Sequence, residues 1–153
     1  ADRNFTVTRN ADSTFAVAFT QPLKQVPNID IMKMRKYLEV FSKTNFERVE
    51  ANLHTAQADS IMKTAPFSVV SVTDDRNYTK TIRLFRKPIT ASSRNQVDEN
   101  TGKPLPFDMD RFYTRIDGDE AWYICQYFHF DRVLINPLNL MPGGNSKPTQ
   151  DRY

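Results

Sequence analysis

The stretch Phe107-Asp-Met-Asp-Arg-Phe-Tyr-Thr-Arg-Ile-Asp-Gly-Asp-Glu-Ala-Trp-Tyr-Ile-Cys-Gln-Tyr-Phe-His-Phe130 decides how this chain is read. It holds eight of the eighteen aromatic residues, in two runs separated by Asp117-Gly118-Asp119-Glu120. Before the break, Phe112, Thr114 and Ile116 alternate with Tyr113 and Arg115. After it, Trp122, Ile124, Gln126, Phe128 and Phe130 alternate with Tyr123, Cys125, Tyr127 and His129. Period-two alternation around an Asp-Gly turn predicts a β-hairpin. The second strand is apolar on both faces, which places it inside a sheet covered on both sides.

Two further hairpins are predicted upstream. Phe5 and Val7 face Phe15, Val17 and Phe19 across a turn at Asn10-Ala11-Asp12-Ser13. The Val-rich run from Phe67 to Thr73 returns through Asp74-Asp75-Arg76-Asn77 into Tyr78 to Lys87, with Ile82 and Leu84 inward. Between Pro22 and Pro27 the pattern breaks and reads as a loop. Ile31, Met34, Leu38 and Phe41 recur at helical spacing with Tyr37 beside them, opposite Lys33, Lys36, Glu39 and Lys43. These predict an amphipathic helix from Ile29 to Lys43, with Asn28 as its cap and Asp30 in its first turn. A short helix is expected from Thr55 to Lys63, capped by Thr55 and followed by Pro66. Phe46 to Ala51 reads as either strand or loop, and Asp131 to Asn136 as a helical turn ending before Pro137.

The class is therefore α+β: a mainly antiparallel sheet built from hairpins, with one main amphipathic helix packed on one face and one short helix. The expected organisation is a single domain over 1–141 and a flexible tail over 142–153, where Gly, Pro, Asn and Lys dominate. The chain starts Ala1-Asp2-Arg3, and the reading expects a C-terminal module of a longer protein.

Composition narrows the function classes. A length of 153 residues with 39% hydrophobic and 25% charged residues fits a globular core, not a disordered chain. No apolar run approaches the length of a membrane-spanning helix. The net charge is +3, from 21 basic and 18 acidic residues spread along the chain, which argues against a dedicated nucleic-acid binder. The lone Cys125 excludes an intrachain disulfide and a cysteine-based metal site.

The motifs of catalysis are weak. His54 and His129 stand alone, without metal-ligand spacing, and no metal or other cofactor is expected. Asp108 and Asp110, at i and i+2 beside Arg111, lack a calcium-loop context, and Asp108 reads as the cap of a short turn. Cys125 and His129 lie about 13 Å apart along an extended strand, beyond the reach of base activation, so Cys125 reads as a small core residue. Gly102-Lys103 lacks the remainder of a phosphate loop. The acids at the 117–120 turn are ordinary turn formers.

Two features keep a binding site in view. The segment Ile89 to Pro106 is a long loop without apolar pattern, and such loops are often functional. Next to it stand Arg111, Tyr113, Arg115 and Gln126, the candidate ligand-binding residues. Gln126 falls on an otherwise apolar face, where an amide needs partners. Lys80, Arg83, Arg86 and Lys87, with Arg111 and Arg115, read as a solvated face whose charges block edge-to-edge aggregation.

The order of segments, from the run starting Asn28-Ile29-Asp30 through Asp59-Ser60-Ile61-Met62 and Thr79-Lys80-Thr81-Ile82 to the Phe107–Asp131 stretch, resembles an uncharacterised family of bacterial envelope-anchored proteins with tandem α+β modules. The likeness covers roughly Phe5 to Met141, and the aromatic stretch is its most specific part. It implies an extracytoplasmic module, in the periplasm or cell envelope, held to the membrane only through an N-terminal anchor. It implies no catalytic residue. The expected function is a non-enzymatic binding or scaffold module accessory to a transport or surface system. Its partner would be another envelope protein or an upstream module of the same chain. The alternative is a small-ligand-binding or hydrolytic domain with its site under the 89–106 loop.

Overall fold

The computed structural model describes residues 4–90, 93 and 96–144. The fold is α+β, with one three-stranded and one five-stranded antiparallel sheet. The hairpins expected to share one sheet are thus divided between two. The chain forms two compact units, one from 1–44 with 129–153 and the other from 45–128.

In the first unit, β1 (Phe5–Arg9) and β2 (Phe15–Thr20) form the expected hairpin, and its register sets Phe5 opposite Phe19 and Val7 opposite Val17. A third strand, β3 (Leu23–Gln25), pairs with β2 where the sequence read as a loop. Its three residues are all exposed, so burial left no pattern to detect. Helix α1 (Ile31–Lys43) starts two residues later than expected. Asp30, not Asn28, is its cap, and the Asp30 carboxylate accepts from the amides of Met32 and Lys33. Asn28 instead adopts a left-handed backbone, with φ +52°.

The buried face of α1 is also rotated. Met34 is fully buried and Tyr37 packs beside it, while Ile31 and Leu38 are exposed. Met34, Val17, Val26 and Leu140 form the core of this unit, with Phe5, Val7, Phe15 and Phe19 packed against them. Leu140 belongs to a short 3₁₀ helix (Pro137–Leu140) capped by Asn136, and its carbonyl accepts from the Asp30 amide. Burial pushes the Tyr37 hydroxyl up to about 12, and that hydroxyl donates to the Val133 carbonyl. Residues 142–144 of the expected tail are tied in, since Lys33 Nζ donates to the carbonyls of Met141 and Gly144 at 2.8 Å each. Residues 145–153 lie outside the described residues.

The second unit contains β4 (Arg48–Val49), α2 (Thr55–Met62), β5 (Ser68–Thr73), β6 (Thr79–Pro88), β7 (Phe107–Ile116) and β8 (Trp122–Gln126). The strand order is β4-β8-β7-β6-β5. Helix α2 begins after His54, whose amide donates to the Gln57 side chain, so Thr55 is its first residue and not its cap. Phe85, Tyr113, Trp122 and Ile124 form one core cluster, packed by Leu53, Ala58 and Ile61. On the opposite face of the strands Leu84, Phe112 and Cys125 are buried, and Phe67 and Tyr127 stack against Phe112. Strand β8 is thus buried on both faces. Among the described residues no helix is long and apolar enough to cross a membrane.

The aromatic hairpin departs from its expected pattern at one end. Strand β8 stops at Gln126, and Tyr127–Phe130 forms a helical turn, α3. The cause lies on the neighbouring strand. The amides of Asp110 and Arg111 turn onto the Asp108 carboxylate, each at 3.0 Å, so β7 offers no regular ladder beyond Arg111. Helical spacing then sends Phe128 outward, 71% exposed, while Phe130 is buried. The two residues were expected on one inward face.

Trp122→Ala should therefore destabilise the protein by about 3–5 kcal/mol, the usual cost of deleting a buried aromatic ring. Phe128→Ala should change it by less than about 1 kcal/mol. Urea unfolding of the two variants checks this, and comparable losses would contradict the helical turn.

Candidate functional site

The register of β6 on β7 shifts between Arg86 and Pro88. Phe112 pairs with Arg86, yet Pro88 pairs with Phe107, so extra β7 residues are looped into the irregularity. Bulges of this kind re-aim side chains. Here the result is a buried ion pair. Lys87 Nζ lies 3.3 Å from Asp108 Oδ2, with the residues only 4% and 3% exposed. The sequence placed Lys87 on a solvated basic face. On β6 it shares the inward face of Phe85, two residues earlier, and its ammonium lies 6.0 Å from the Tyr113 ring centroid.

The long 89–106 connection folds back onto this pair. Ser93 Oγ donates to Asp108 Oδ2 at 2.9 Å. Gln96 Nε2 reaches Asp108 Oδ1 at 3.4 Å and Asp110 Oδ2 at 3.2 Å, while its carbonyl oxygen accepts from the Met109 amide at 2.7 Å. Lys87 Nζ also donates to Thr90 Oγ1 and Ser93 Oγ at 3.4 Å. A bridge between Val97 and Pro104 closes the outer part of the connection into a small hairpin, with Gly102 at φ +65°. Residues 91, 92, 94 and 95 lie outside the described residues.

Burial alone would disfavour the ionised form of Asp108. The Asp110 amide, the Ser93 hydroxyl and the Lys87 ammonium outweigh it and hold the carboxyl below the ordinary Asp range. Asp108 is thus a carboxylate saturated with donors, a more elaborate form of the capping role read from its sequence context.

The four candidate ligand-binding residues lie on one face of β7 and β8, by strand alternation and register. The structure brings two of them together. Arg111 and Gln126 are cross-strand partners, and both reach Glu47 Oε2, at 2.8 and 3.1 Å. Burial acts against the Glu47 carboxylate, but Arg111 and Gln126 outweigh it and hold its pKa low. Gln126 thus meets a carboxylate supplied by the segment before β4. Tyr113 is part of the core, and burial pushes its hydroxyl pKa up. Arg115 lies with its guanidinium 5.6 Å from the Trp122 ring centroid, across the strand pair.

Sequence reasoning missed Glu47, Lys87, Ser93 and Gln96. Glu47 lay in a segment open between strand and loop. Lys87 gave two usable signals, its place two residues after Phe85 on the same strand face and the Pro88 that follows it, because proline within a strand marks an edge or a bulge.

One turn acid, Asp119, has the local role expected of it, while Asp117 is held by a residue of β6. Arg83 grips Asp117 through two bonds of 2.8 and 2.9 Å, and Asp119 accepts from the Ala121 amide and the Tyr123 hydroxyl. Cys125 is buried beside Thr114 Oγ1 at 3.2 Å, and burial pushes its thiol up to about 11. No group of metal-ligating side chains stands together among the described residues.

Ser93, Lys87 and Asp108 have the composition of a hydrolytic site, and each is engaged in tying the 89–106 connection to the sheet. Lys87 Nζ donates to several oxygens around Asp108. Asp108 accepts the Ser93 proton in a hydrogen bond, but a carboxylate with a lowered pKa is a poor general base. The cluster holds a loop to a sheet. Comparison with protein-family models, curated proteins and solved structures gives no match.

Lys87→Met should lower the unfolding free energy by about 3–5 kcal/mol, because it leaves the Asp108 charge buried without its counter-ion. Chemical denaturation measures this directly. A loss below about 1 kcal/mol, as for an exposed pair, would show that water reaches the carboxylate.

Proposed function

We propose that this chain is a non-enzymatic binding or scaffold module. The observation that supports the reading is the convergence of Lys87, Ser93, Gln96 and the amides of Asp110 and Arg111 on one buried carboxylate. Every group that could start a reaction there is engaged in fixing the long connection against β6 and β7. A fixed loop on a rigid sheet is a recognition device. Beside it the half-exposed Glu47, Arg111 and Gln126 offer a polar surface whose charges are already arranged.

The family resemblance supplies the setting: an extracytoplasmic module of a bacterial envelope, accessory to a transport or surface system. Its partner is then another envelope protein or an upstream module of the same chain. A second reading, a hydrolytic or small-ligand site under the 89–106 loop, draws on one observation, the Ser93 hydroxyl standing between Lys87 and Asp108.

The two readings separate in one experiment. The purified protein and its Ser93→Ala variant are assayed against ester, amide and phosphoester substrates, with melting followed alongside. The binding reading expects no difference in turnover between the two. Turnover that disappears in a stably folded Ser93→Ala variant would establish the hydrolytic reading instead.

A further inference from the structure

The sheet of the second unit has two edges, and they are built differently. At one edge, β4 is two residues long and carries Arg48 between Glu47 and Glu50. At the other edge, β5 has the sequence Ser68-Val-Val-Ser-Val-Thr73, with no charge and no proline. It pairs with β6 over all six residues without a shift of register. Natural edge strands are usually kept short, charged, bulged or covered. The basic residues Lys80, Arg83, Arg86 and Lys87, expected at a strand edge, lie on β6, which is an interior strand.

The free hydrogen-bonding groups of β5 can be assigned. The Asp74 amide donates to the Tyr78 carbonyl, and the Asn77 amide donates to the Asp74 carbonyl, which makes Asp74 and Tyr78 a hydrogen-bonded pair. Antiparallel pairs alternate in type. Val70 and Val72 therefore bond to β6, while Val69, Ser71 and Thr73 direct their amides and carbonyls away from it. The side chains agree, because Ser71 meets Thr81 at 2.8 Å and Thr73 meets Thr79 at 2.7 Å, as in the closer non-hydrogen-bonded pairs. The strand is open to solvent, with Val69 47% and Val72 44% exposed.

We infer that β5 pairs antiparallel with β5 of a second copy of this chain, around a two-fold axis at Ser71. The strand is complementary to itself in that register. Ser71 meets Ser71 of the second copy, Val69 meets Thr73, and Val70 meets Val72. About six backbone hydrogen bonds form, all from groups that face outward. No like charges meet within the strand. At its ends the charges are complementary. Asp75, exposed in the turn, falls opposite Phe67 of the second copy, over whose ring the Arg86 guanidinium stands at 5.9 Å. The symmetry makes this contact twice. The pairing joins two five-stranded sheets into one continuous sheet, an isologous arrangement that closes on itself.

Sedimentation equilibrium of the full chain from micromolar to millimolar concentration tests the inference. The expected result is a weight-average mass rising from 17.8 kDa toward twice that value. Amide exchange at Val69, Ser71 and Thr73 should slow over the same range. Ser71→Pro removes an outward amide and spares the ladder to β6, and it should leave the chain monomeric. If that variant does not fold, Ser71→Lys, which sets two cations together at the axis, decides the matter by the same readout. A wild-type chain that stays monomeric throughout overturns the inference, even if the edge accepts a strand of another protein. So does a dimer that survives these variants or leaves the three amides in fast exchange.

Discussion

The buried Asp108 carboxylate sets the constraint that the rest of the second unit obeys. A charge taken from water must be met by donors, or the fold loses several kcal/mol. Here the donors come from three places: Lys87 on the neighbouring strand, Ser93 and Gln96 on the long connection, and the backbone just downstream of Asp108 itself. Each donor carries a consequence. Lys87 faces inward two residues after Phe85, and the bulge of β7 brings Asp108 to it. The connection returns to the sheet only because its two polar side chains reach the carboxylate. The amides that turn onto Asp108 end the regular ladder, and β8 gives way to the helical turn that sends Phe128 to the surface.

The same constraint separates two polar networks that look alike in sequence. Around Asp108 the groups are buried, and their function is to hold the chain in place. Around Glu47 they are half-exposed, and Arg111 and Gln126 present their remaining donors at the surface. Arg111 belongs to both, since its amide serves Asp108 and its guanidinium serves Glu47. Recognition and packing thus meet at a single residue of β7. The Phe85, Tyr113, Trp122 and Ile124 cluster under α2 supplies the rigid base for this arrangement.

The hairpins were legible because alternation survives wherever one face is buried. A period of two specifies the shared faces of Val7 with Phe5 and of Ile124 with Trp122, while the pairings of Val7 with Val17 and Tyr113 with Ile124 came from the register. The α1 helix was legible as a helix, but its phase was not, because Met34 and Ile31 are equally apolar and only tertiary packing chose Met34 and Tyr37. Strand β3 left no trace, since its residues are exposed and its pairing is purely backbone. The division of the hairpins between two sheets was equally hidden, because hairpin signals are local and sheet membership is not. At the candidate site, Arg111 and Gln126 were visible as polar residues in an apolar context. Glu47 was not, because it lies 64 residues from Arg111 and nothing local marks a partner at that separation. Lys87 was misread because its charge suggested solvent, although alternation sets it on the face of Phe85; the carboxylate that meets it there comes from the β7 bulge, which binary patterning does not encode.

The most direct test of the central claim is a carbon-13 NMR titration of the Asp108 carboxyl, followed together with the amide resonances of Asp110 and Arg111. The Lys87 ammonium and the hydrogen bonds raise the stability of the ionised form, so the folded carboxyl should titrate below the unfolded value of about 3.9. Its stabilising effect is then present above that value and lost as the pH falls through the folded one. The two amides should shift with the same midpoint, since they donate to the carboxylate that is being protonated. A midpoint at or above the unfolded value, with amides that do not follow it, would contradict the account.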